Sequence, residues 1–200
     1  MKMLIYCTKS KSYLYKTEDT TYPAYPIGYH TDKDLKLKLS NTKELANLNG
    51  KIVAECDFEA EHLYNAYSPY RENDIHYFDT DTLNEAELIK RSRLSNLELE
   101  NYFKNKNGYA IHIKNLNIFD KPRELFNYCG KTKKNVFYHI QNAPQNMMYC
   151  YGKNTGEKYI LISIRPEWVC KILNGEKTIE VRKKVLKEMI KWGVRKWLNQ

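Results

Sequence analysis

Cysteine pairs at C-x-x-C spacing are absent from this chain, whose five cysteines (Cys7, Cys56, Cys129, Cys150 and Cys170) are scattered and odd in number. That pattern excludes a zinc knuckle and a disulfide framework and suits a reducing cytoplasm. No H-x-x-x-H pair or paired-carboxylate pattern accompanies His30, His62, His76, His112 or His139, so neither a metal nor a cofactor is expected. The opening MKMLIYCTKSKSY carries only a few apolar residues before Lys9, too short a run for a secretion signal or a membrane span. A cytoplasmic protein with no membrane span is the expectation. Internal repeats and low-complexity tracts are also missing.

What the chain has in excess is positive charge. Its net charge is +9, with an isoelectric point near 9.1, which favours a polyanion partner such as nucleic acid over acidic proteins or neutral substrates. The same balance would also serve a lysine-rich chain simply by keeping it soluble. Apolar residues make up 42% and tyrosine occurs 17 times, which is globular rather than disordered composition.

Along the chain, MLIYCT is a strand, and the polar stretch from Lys9 to Asp34 reads as a long loop. There Tyr13, Tyr15, Tyr22, Tyr25 and Tyr29 lie among Lys9, Lys11 and Lys16, an arrangement suited to stacking bases or to packing over a barrel. A turn at Asn49-Gly50 leads into a strand in which Ile52, Ala54 and Cys56 alternate with Val53, Glu55 and Asp57. Two capping boxes, Thr82 with Glu85 and Ser95 with Glu98, open the short helices NEAELIKRS and NLELENYFK. In YAIHIKNLNIF, Ile111 and Ile113 alternate with His112, which makes His112 an ordinary outward strand residue, and Pro122 ends that strand. NAPQNMMYCY supplies a turn and another strand. Residues 151–158 read as a linker between a body at 1–150 and an element at 159–184. That element runs strand YILISI, helix RPEWVCKILNG with Pro166 in its first turn and Gly175 near its end, then strand KTIEVR. Residues 185–200 form a basic amphipathic helix with Val194, Trp197 and Leu198 on its apolar face.

The charged turn ILNGEKTIEVRKK carries the chemistry. In an extended Thr178–Arg182, Thr178, Glu180 and Arg182 share one face while Ile179 and Val181 point to the core. Lys177 sits at the turn beside them. Such a group can hold a nucleobase or phosphate, with Arg and Lys on oxygens and Glu on a base amino group, or it can be a set of surface ion pairs.

SIRPEWVCKILNGEKTIEVRKK resembles the opening of the ASCH family, whose hallmark G-x-K-x-x-E-x-R is matched by Gly175, Lys177, Glu180 and Arg182. IYCTKSK, LNGKIVAEC, NGYAIHIKNLNIFDKPREL and APQNMMY also resemble that family, in the type found in phage and Firmicutes genomes, so the likeness covers most of residues 3–184. The order departs from the family, because the motif element comes last, as in a circular permutation. It then completes its own barrel in a monomer, the favoured outcome, or a neighbour's in a swapped dimer.

The resemblance implies an α+β fold, a PUA-like β-barrel or curled mixed sheet flanked by short helices. It also implies an RNA- or nucleotide-binding cleft lined by Lys177, Thr178, Glu180 and Arg182, with Arg165 and Lys9 at its rim. The alternative it implies is an enzyme, a ribonuclease or an amidohydrolase acting on acetylated cytidine, with Lys177 and Glu180 catalytic. The amidohydrolase branch has a hydroxyl residue where this chain has Glu180, and a carboxylate there tends to keep the lysine charged. A further assisting carboxylate would be Glu55, Glu85 or Glu87.

Overall fold

The computed structural model describes residues 1–9, 48, 50–67, 76–104 and 106–190. The tyrosine-rich loop, His30, Asn49 and the apolar face at Val194, Trp197 and Leu198 lie outside the described residues. The elements in chain order are β1 (Lys2–Cys7), β2 (Ile52–Tyr67), β3 (His76–Thr80), α1 (Glu85–Ser92), α2 (Asn96–Phe103), β4 (Gly108–Arg123), a 3-10 turn (Leu125–Asn127), β5 (Tyr128–Lys131), β6 (Phe137–His139), β7 (Met147–Gly152), β8 (Lys158–Ile164), α3 (Pro166–Leu173), β9 (Ile179–Arg182) and α4 (Lys187–Ile190). The chain is α+β and rich in strand. None of the helices among the described residues is long and apolar enough to cross a membrane. The five cysteines, all among the described residues, form no disulfide.

Two compact units interleave along the sequence. The first takes Met1–Met3, Cys56–Asn117 and Cys170–Gln200 and contains the motif. Its strands are ordered β3, β2, β4, β9, with β9 antiparallel to β4 through the partners Ala110 with Val181 and His112 with Ile179. Ala110, Ile179 and Val181 join Leu63, Phe78, Leu88, Leu99 and Phe103 in one buried core, which gives α1 and α2 their apolar faces. Gly108 is required where it stands, since a Cβ there would lie 2.1 Å from the Phe103 ring.

The helix starts follow local chemistry. Ser95 and Glu98 form the expected capping box, the Ser95 hydroxyl accepting from the Glu98 N–H and the Glu98 carboxylate from the Ser95 N–H. We expect Ser95→Ala to lower the unfolding free energy by about 1 kcal/mol, readable in a urea melt; an unchanged midpoint would contradict that role. The other expected box is corrected. Asn84, not Thr82, caps α1 by accepting from the Glu87 N–H at 3.0 Å, while Thr82 turns its hydroxyl and N–H to Glu61.

The second unit takes Leu4–Glu55 and Ile118–Val169. Its core gathers Leu4, Tyr6, Ile52, Tyr128, Ile140, Cys150, Tyr159 and Leu161. Burial in that core pushes the Cys150 thiol up to about 12. Two expectations change here. Strand β4 runs through Pro122 to Arg123 instead of ending before it, as a proline can near the end of an exposed strand. Residues 151–158 are not a linker: β7 and β8 pair antiparallel from Met147 with Ile162 to Tyr151 with Lys158, so 153–157 is the turn of a hairpin. Strands β5 and β6, a second hairpin, were not expected from the sequence.

Candidate functional site around Lys177, Glu180 and Arg182

The motif is built by the end of α3. The Glu176 N–H reaches the Lys171 carbonyl at 2.9 Å and the Gly175 N–H the Ile172 carbonyl at 2.9 Å. Gly175 adopts φ +74°. This is the Schellman termination, which wants glycine at the left-handed position. The Lys177 N–H also reaches the Lys171 carbonyl, so the G-x-K spacing releases Lys177 immediately after the helix stop and starts β9 two residues later.

Lys177 does not reach outward. It is 2% exposed, its Nζ donates to the Ser92 carbonyl at 2.7 Å and lies 3.4 Å from Glu180 Oε2. Burial drives the Lys177 amine below its ordinary value against the opposing pull of Glu180. Glu180 pulls toward the charged form, the direction expected of it, but loss of hydration is the larger influence. Glu180 also takes Arg182 Nη2 at 3.0 Å on Oε1, so one buried carboxylate stands between two cations.

Register and alternation place Glu180 opposite Ile111 and Arg182 opposite Tyr109, on the face turned away from Ile179 and Val181. Tyr109 lies with its ring centroid 5.1 Å from that of His62, which stacks on Tyr64 at 6.0 Å. An aromatic group therefore adjoins the Glu180–Arg182 pair.

Thr178 is drawn to α1 and not to Glu180. Its N–H donates to the Arg91 carbonyl at 3.0 Å, and its hydroxyl accepts from Arg91 Nε at 3.1 Å. Arg91 Nη2 lies 3.3 Å from His112 Nδ1, and His112 Nε2 lies 2.5 Å from Glu61 Oε1. A guanidinium can only donate, so Nδ1 accepts and Nε2 carries the proton given to Glu61. His112 is thus a buried link in a chain from β2 to β9, which corrects the expectation of an outward strand residue. Burial alone would raise the Glu61 carboxyl, but hydrogen bonds from His112 and Thr82 carry it below its ordinary value.

The structure brings together Lys177, Glu180 and Arg182, with Thr178 on the Arg91 side. Lys9 and Arg165 are exposed and belong to the other unit. Of the carboxylates expected to assist, Glu85 accepts from the Phe78 N–H, Glu87 lies in the first turn of α1 and Glu55 belongs to the second unit; Glu61 meets the motif through His112 and Arg91. No signal in the sequence marks Glu61, Arg91 or Ser92, because each meets the motif only through pairing of distant segments. Among the described residues no group of His, Cys, Asp and Glu is arranged to hold a metal ion. No family model, curated protein or solved structure matches this chain.

Proposed function

We propose that this protein binds RNA or a nucleotide-like ligand at the Glu180–Arg182 pair, as its resemblance to ASCH domains implies. The observation that carries the reading is the placement of that pair beside the Tyr109 and His62 rings. Arg182 suits a phosphate or base carbonyl oxygen, Glu180 a base amino group, and the rings a base face. Lys177 is buried and serves in this reading by fixing Glu180 from behind. A PUA-like barrel with permuted elements, a monomeric state and a cytoplasmic location belong to the same proposal.

Isothermal titration with cytidine, cytidine monophosphate and a short RNA tests it. Arg182→Ala is expected to weaken binding of the monophosphate by roughly tenfold or more, the scale of one charge-assisted hydrogen bond. Absence of binding to all three, or a variant that binds like the wild type, would sink the proposal.

One observation favours a second reading. An amine held below its ordinary value by burial has the direction that nucleophilic or general-base chemistry needs, so hydrolysis of acetylated cytidine by Lys177 is the enzymatic alternative. Acetate release by the wild type and its loss in Lys177→Arg, with nucleoside binding retained, would support it.

A further inference from the structure

The second unit carries a surface that the motif does not explain. In the β6, β5, β7, β8 part of its sheet, Lys131 is paired with Phe137, Cys129 with Tyr151, and Tyr151 with Lys158. Cross-strand partners share a face, and residues two apart along a strand do too. Lys131, Phe137, Tyr151, Lys158 and Tyr149 therefore stand on one side. The opposite side holds Tyr128, Cys150, Tyr159 and Leu161, which are the core.

On the outer side the lysines and rings are interleaved. Lys131 Nζ lies 5.2 Å from the Phe137 centroid and 5.7 Å from that of Tyr151, and Lys158 Nζ lies 4.2 Å from Tyr149. Phe137 and Tyr151 meet edge to face at 5.5 Å. Phe137 is nonetheless 54% exposed, a large apolar surface to leave in water on an edge strand. The turn joining β5 to β6 adds exposed Lys133 and Lys134. Across 126–158 the only acid is Glu157, which accepts from the Tyr159 hydroxyl.

We propose that this sheet face docks single-stranded nucleic acid, with bases stacking on Phe137 and Tyr151 and the phosphates running past Lys131, Lys133 and Lys134. Charge complementarity selects a polyanion, and the exposed Phe137 ring beside the half-buried Tyr151 ring selects one with flat faces to stack. A protein partner of acidic character would satisfy the lysines but leave the rings without a reason, and a duplex hides its base faces. The inference stands on residues other than those of the motif, so it does not depend on the reading of Glu180 and Arg182.

Fluorescence anisotropy on the full chain decides it, with labelled uridine RNA and thymidine DNA decamers, the corresponding duplexes, and inorganic polyphosphate as competitor. The expected result is binding of both single strands and weaker binding of the duplexes. Phe137→Ala should weaken the single strands roughly tenfold. The triple replacement Lys131→Ala, Lys133→Ala and Lys134→Ala should flatten the dependence of log affinity on log salt by about 2. All four side chains are exposed, and matching thermal melts would show that the variants fold.

Arg182→Ala is the control. Single-strand binding lost in Arg182→Ala and kept in the hairpin variants would overturn this inference while leaving the motif reading intact. Binding lost in the hairpin variants with Arg182→Ala unaffected supports it whatever the motif does. No single-strand binding at all, equal binding of duplexes, or full displacement by polyphosphate at equal phosphate concentration would also overturn it.

Discussion

Lys177→Met is expected to lower the unfolding free energy by about 3 kcal/mol, the lower end of what removing one partner of a buried ion pair costs. Methionine keeps most of the side-chain volume, so the loss is electrostatic. The Ser92 carbonyl, near the C-terminal end of α1, loses its donor at 2.7 Å, and Glu180, itself 7% exposed, keeps Arg182 but loses its second cation. The gain that partly offsets this is the hydration Lys177 gives up on folding, the same influence that lowers its pKa. Urea melts of wild type, Lys177→Met, Glu180→Gln and the double variant would measure it. The double variant should cost less than the two single costs added together, because a neutral amide at position 180 no longer needs the ammonium. Strict additivity would mean that the 3.4 Å approach carries no coupling.

The pH dependence of the wild type and Lys177→Met has a definite sign. The folded-state value of Lys177 lies below 10.5, so between the two values the unfolded chain binds more protons and stability rises with pH. Below the folded value the unfavourable contribution of the buried ammonium is fully present. The wild type, compared with Lys177→Met, should therefore gain stability as pH climbs toward about 10. A constant difference between the two would show that the amine is not perturbed.

How much of this was legible depends on how local each cause is. Gly175, Lys177 and the alternation of Ile179 and Val181 lie within a few residues of one another, and a helix stop followed by a strand is written in that span. The Ser95–Glu98 cap was legible for the same reason. Thr82–Glu85 fits the identical pattern, yet Asn84 stands closer to the first turn and takes the N–H of Glu87. The pattern does not rank two acceptable caps. Strands β5 and β6 are four and three residues long, too short to show a period, and a turn holds them, with the Thr132 N–H on the Val136 carbonyl. Pro122 misled because a proline forbids a central strand but not a strand end. The burial of Lys177 needs a carbonyl 85 residues away, and the inward turn of His112 needs a carboxylate 51 residues away. Neither distance leaves a trace in local spacing.

The Glu61–His112 link has the second large consequence. In Glu61→Ala, the buried His112 Nε2–H loses its acceptor, and the Thr82 hydroxyl and N–H lose the carboxylate at 2.9 and 3.0 Å. Thr82 is exposed and can turn to water, but His112, 8% exposed, cannot do so freely. The expected cost is about 2–3 kcal/mol, the scale of a buried donor left unsatisfied plus the charge-assisted bond it made. The damage extends to β9, because without Glu61 the imidazole can move its proton to Nδ1, where it would face Arg91 Nη2, the group that now donates to it. Arg91 holds Thr178 by two hydrogen bonds, so amide exchange at Thr178 should accelerate in Glu61→Ala more than at Ala110, whose strand partner is Val181. Glu61→Gln separates charge from shape, since its amide oxygen can still accept from His112. The folded carboxyl of Glu61 lies below 4.5, and the unfolded chain therefore binds the extra proton between the two values. Its stabilisation is complete above 4.5 and disappears as pH falls through the folded value. Urea melts from neutral pH to about pH 3 should accordingly show the gap between wild type and Glu61→Gln closing in acid. A gap that stays constant across that range would place the effect of Glu61 in packing and not in its charge.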